Sequence, residues 1–130
     1  MKSLLNYFVV VFLIIFFSSC SVAPKIIFFN NTDFQVEIFN NKTRLVVIEP
    51  KHNKELYYPI TQTINIKTQT TNWVYSINNY PPIEYYKPNG RSEKMRFQLE
   101  ATGEIYVLLP TEIFPAKDFN NQPIGFPIKP

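Results

Sequence analysis

The chain has 130 residues and a formal net charge of +3, with 13 Lys and Arg against 10 Asp and Glu. The charges are interspersed rather than clustered, which argues against nucleic acid as a partner. One cysteine excludes an internal disulfide, one histidine excludes a multi-histidine metal centre, and three glycines are too few for a phosphate-cradling loop, so no cofactor is expected.

The first segment sets the compartment. Lys2 supplies a positive charge, Tyr7 to Phe17 is an unbroken apolar run, and Ser18-Ser19-Cys20 follows as a patch of small residues. This is the three-part layout of a secretory signal peptide. A spanning helix needs about 20 apolar residues, and the stretch from Leu4 to Cys20 is shorter than that and contains Asn6, so an uncleaved anchor is the second choice. Ordinary cleavage after Ser21-Val22-Ala23 would leave Pro24 as the first residue, an arrangement that disfavours the usual peptidase.

Phe17-Ser18-Ser19-Cys20 resembles the lipobox of bacterial lipoproteins, with Phe17 where Leu is usual. The resemblance covers Met1 to Ser21. It implies that Cys20 becomes the amino terminus and carries the lipid, a diacylglycerol thioether plus an amide-linked palmitate-type chain, which together anchor stably. In a Gram-negative host, Ser21 in place of Asp further implies the outer membrane. The expected divisions are 1–19 signal peptide, 20–25 lipidated tether, 26–110 folded domain and 111–130 Pro-rich tail.

The mature part is expected to be one all-β domain. Twelve Phe, eight Tyr and one Trp fit a sheet core filled by aromatic rings. In chain order, Ile26 to Phe29 reads as a strand stopped by the polar turn Asn30 to Asp33. Phe34 to Phe39 alternates, with Phe34, Val36 and Ile38 on one side. Arg44 to Glu49 forms a third strand, ended by Pro50. Lys51 to Glu55 reads as charged loop, and Leu56 to Tyr58 as a short edge strand.

Ile60 to Lys67 alternates with a Thr-rich outer side. Trp73, Tyr75 and Ile77 recur at period two and predict the central aromatic strand. Asn78 to Arg91 holds three prolines, too many for a regular element, and predicts a long surface loop. Ser92 to Ala101 has helix-favouring residues, yet Met95, Phe97, Leu99 and Ala101 alternate, which favours a strand. Gly103 fits the positive-φ position of a hairpin leading to the strand Ile105 to Leu109.

The resulting expectation is an antiparallel β-sandwich of seven or eight strands, similar in architecture to immunoglobulin-like or transthyretin-like envelope modules. Thr111 to Pro130 should be extended. Its Ile113, Phe114, Phe119, Ile124, Phe126 and Ile128 either drape over the sandwich and cover an edge or form an arm for a partner.

Catalytic groups are sparse. His52 sits in a charged loop and reads as solvated surface. The acidic positions Asp33, Glu37, Glu49, Glu55, Glu84, Glu93, Glu100, Glu104, Glu112 and Asp118 leave a small carboxylate-dependent hydrolase of envelope glycans as the alternative reading. The preferred reading is non-enzymatic binding of an envelope protein or glycan. Its candidate surface is Tyr80, Tyr85 and Tyr86 in the Pro-rich loop, joined by Tyr57 and Tyr58. These rings could equally cap the ends of the core, and Trp73 is expected to be core.

Overall fold

The computed structural model describes residues 23–119 and 121–130. The leader, Cys20 and Ser21 lie outside the described residues. Among those described, eight strands form two four-stranded sheets packed as an all-β sandwich: β1 Lys25–Asn30, β2 Val36–Asn40, β3 Thr43–Ile48, β4 Asn53–Tyr57, β5 Gln62–Lys67, β6 Asn72–Ile77, β7 Met95–Leu99 and β8 Ile105–Leu108. One sheet runs β4-β1-β7-β8 and the other β3-β2-β5-β6. No helix among the described residues is long and apolar enough to cross a membrane.

Alternation creates the core. Val36 and Ile38 from β2, Ile64 and Ile66 from β5, Tyr75 and Ile77 from β6, and Met95, Phe97 and Leu99 from β7 all point between the sheets and are buried. The stretch that could have been a helix is therefore a strand, β7. Its partner β8 follows across a tight hairpin in which Gly103 has φ +87. The void lined by Ile26, Phe28, Ile38 and Phe97 is about 20 Å3, close to the room a single water needs, so it offers no space for a ligand between the sheets.

Three expectations need correction. Asn53 to Glu55 belongs to β4 and is not loop; β4 is an edge strand whose outward positions face water, so polar residues are tolerated there. The strand of Trp73, Tyr75 and Ile77 is an edge of its sheet, not its centre: it pairs only with β5, and its alternate residues Asn72, Val74 and Ser76 are exposed. The expected antiparallel sandwich holds apart from one pair, β1 and β7, which run parallel in a register from Ile26 opposite Met95 to Asn30 opposite Leu99. Phe34, expected to face inward, lies before β2 and is exposed.

The tail packs on its own domain. Phe114 stacks on Phe29 at 4.9 Å, with the Arg96 guanidinium 4.4 Å from the same ring. The buried Gln98 side chain donates to the Ala116 carbonyl at 3.0 Å and accepts from its amide at 2.9 Å. Gln122 does the same to Val107, donating at 2.9 Å and accepting at 3.0 Å, and Ile128 bridges Ile105. The tail thereby satisfies backbone groups along the open edge of β8.

Candidate functional site

The strand directions divide the surface into two ends. At the entry end β1, β3, β5 and β7 begin and β2, β4, β6 and β8 finish; the opposite end is the far end. The chain enters at Ala23 and Pro24, where the Pro24 carbonyl already accepts from the Tyr58 amide at 2.8 Å.

The candidate tyrosines all lie at the entry end, but only some share a surface. Tyr58 follows β4 and is buried against Phe97, with ring centroids 5.5 Å apart and an interplanar angle of 12°. Its hydroxyl donates to the Asn79 carbonyl, tying the β4–β5 turn to the aromatic loop. Tyr80 leans on Tyr58 at 5.1 Å and meets Tyr86 at 6.4 Å. Tyr80 is exposed and Tyr86 half-buried, so these two present aromatic area to solvent on a buried support.

Tyr85 points inward from the short 3-10 turn Ile83–Tyr85 and is buried, while its neighbour Ile83 is 61% exposed. Burial pushes the Tyr85, Tyr58 and Tyr75 phenols above their ordinary value. Tyr57, one residue from Tyr58, faces the opposite side of β4 and is exposed beside the Lys25 ammonium, 5.7 Å from the ring centre. Trp73 is half-buried over the β7–β8 hairpin, where a Cβ on Gly103 would come within 2.8 Å of its indole.

A groove of about 520 Å3 opens at this end between the β3 and β4 edges. Leu45, Leu56, Tyr57, Tyr58 and Pro59 supply its apolar wall, Lys25, Glu55, Asn40 and Gln62 its polar rim, and Ala23 runs along it. Sequence reading missed Leu45 and Ile83. Val46 and Ile48 face the core, so Leu45 falls on the outward side of β3 by simple alternation.

Glu55 is held below the usual carboxylate range by the hydrogen bond from Lys94, and Glu104 by the Tyr106 hydroxyl at 2.5 Å. A general acid needs the opposite shift. The same bond pushes the Tyr106 phenol up to about 12. His52 is exposed with Nδ1 2.8 Å from the Pro50 carbonyl, far from the tyrosines at the other end of the sandwich. Among the described residues no group of three or more His, Cys, Asp or Glu is placed to hold a metal ion. No protein-family model, curated protein or solved structure matches the chain, so the chemistry of its own surface carries the reading.

Proposed function

We propose that the chain is an envelope lipoprotein, anchored by lipid on Cys20 in the outer membrane, that acts as a non-enzymatic binding or structural module. Its contact surface is the aromatic entry end: Tyr80, Tyr86 and Ile83, seated on Tyr58, with Tyr57 on the adjoining strand. One observation carries the reading, namely that exposed rings converge where the chain enters the fold, on a support that is buried and hydrogen-bonded. Rings held rigidly in this way offer contact area without a large ordering cost. An envelope protein or glycan that the anchored domain can reach is the partner class.

Two measurements test it. Metabolic labelling with a palmitate analogue should mark the wild-type chain and not Cys20→Ala; label retained in the variant contradicts the anchor. Crosslinking in the host envelope should capture a partner with the wild type and lose it with Tyr80→Ala combined with Tyr86→Ala, at unchanged melting. Undiminished capture would remove the aromatic surface from the proposal.

A further inference from the structure

We infer that the entry end lies against the headgroup layer of an anionic lipid surface, so that the membrane itself is what Tyr57, Tyr80 and Ile83 contact. The inference rests on the anchor part of the proposed function and replaces the envelope protein or glycan proposed there with lipid as the occupant of this surface. From Cys20 to Ala23 the chain can span at most about 11 Å, and Ala23 already runs along the groove of the entry end. A tether of that length is comparable to a headgroup layer, which is the difference between a hydrocarbon core of about 30 Å and a bilayer of about 40–45 Å shared between two faces. The entry end cannot be held far from the interface.

Its composition suits that position. Leu45, Tyr57, Tyr80, Ile83 and Leu109 are all exposed there, whereas Phe34 is the large exposed apolar residue of the far-end turns. Tyrosine rings with a free hydroxyl and lysines with long apolar stems are the side chains that settle at a membrane–water boundary. Charge is polarised the same way. The strand starts, groove rim and turns of the entry end carry Lys25, Lys42, Arg44, Lys87, Arg91, Lys94 and Arg96 against Glu55, Glu84, Glu93 and Glu112. The far-end turns and strand ends carry Asp33, Glu37, Glu49, Glu100 and Glu104 against Lys51, Lys54, Lys67 and Lys129, the last paired with Glu104 at 3.5 Å. An anionic surface attracts the first end and repels the second.

A protein or glycan partner would be served by the rings but gives no reason for the charge polarity or for the tether entering beside them. Lipid accounts for all three.

The test uses the full lipidated protein in vesicles of phosphatidylcholine, with and without phosphatidylglycerol. Lipid on Cys20 consumes the one native thiol, so a nitroxide label can be placed singly through Ile83→Cys or Phe34→Cys, both exposed positions. The label at position 83 should be open to oxygen and shielded from a water-soluble nickel chelate, more so with phosphatidylglycerol, while position 34 stays open to the chelate in both. Lys87→Glu with Arg91→Glu should abolish the phosphatidylglycerol dependence. Chelate access at position 83 equal to that at position 34, in protein that remains on the vesicles, overturns lipid docking and leaves the anchor standing. Protein lost from the vesicles overturns the anchor and this inference with it. Shielding of position 83 in native envelopes but not in pure lipid means a protein or glycan covers the end, and this too overturns the inference.

Discussion

The two ends of the sandwich solve different problems. At the far end the turns are short and their polar groups are consumed internally. Asn30 is fully buried, and its Nδ2 donates to the Phe34 carbonyl at 2.7 Å and the Ile48 carbonyl at 3.1 Å, while its Oδ1 accepts from the Thr32 amide and hydroxyl. One side chain thus joins the end of β1, the approach to β2 and the end of β3. At the entry end the connection between Ile77 and Met95 is far longer than any far-end turn, and it leaves Tyr80 and Ile83 exposed. Buried polar fastening is seen at one end and exposed aromatic and aliphatic side chains at the other.

That division can be broken by experiment. Asn30→Ala strands several buried carbonyls and the Thr32 donors, so it should cost about 3 kcal/mol in urea unfolding. A loss under about 0.5 kcal/mol would mean the far end is not where the sheets are fastened. Gly103→Ala forces a side chain into positive φ and against Trp73, with an expected cost of about 2 kcal/mol. If the variant matches the wild type, the hairpin is not constrained by the indole.

Tyr58→Phe tests the support beneath the contact surface. It removes the hydrogen bond to Asn79 and should cost about 1 kcal/mol. Burial raises the Tyr58 and Tyr75 phenols, so their contribution is fully present below the unfolded value near 10 and is lost as pH rises above it. The stability of the wild type should therefore fall above pH about 10, and Phe at both positions should flatten that fall in an alkaline melting series. The far end responds in the other direction. Glu104 is lowered from 4.5, so the stability it adds is present above that value and is lost as pH falls; Glu104→Gln should be less acid-sensitive than the wild type. The smallest effect belongs to Tyr80→Ala, expected to change stability by less than about 0.5 kcal/mol while reducing attachment at the entry end. A large melting shift instead would place Tyr80 with the core.

Sequence made the strands legible wherever one face is buried, because alternation at Val36 and Ile38, or at Met95, Phe97 and Leu99, has no other simple meaning. It hid β4, whose outward residues are as polar as a loop's. It also left the candidate tyrosines unsorted: Tyr57 and Tyr58 are adjacent, so a strand sends them to opposite faces, and the phase follows only from the pairing of β4 with β1. Asn30 read as a turn marker, since an Asn that terminates a strand and one that organises a buried node look alike in one dimension. The tail's fate was open because both covering an edge and serving as an arm require the same extended, apolar-spotted chain. Its pairing with Gln98 and Val107 decides between them.

The parallel pairing of β1 with β7 has a consequence for the order of assembly. β1 is the first strand to appear on the chain, yet Ile26 and Met95 become neighbours only after nearly seventy residues have followed, so its sheet closes late and against a long loop. The sheet of β2, β3, β5 and β6 depends on closer neighbours and can form first. The first strand would thus wait, half-paired with β4, until β7 arrives from the other end of the domain. Domain closure is then coupled to delivery of almost the entire chain, and slow appearance of the β1–β7 contacts in pulsed hydrogen exchange would be the sign of it.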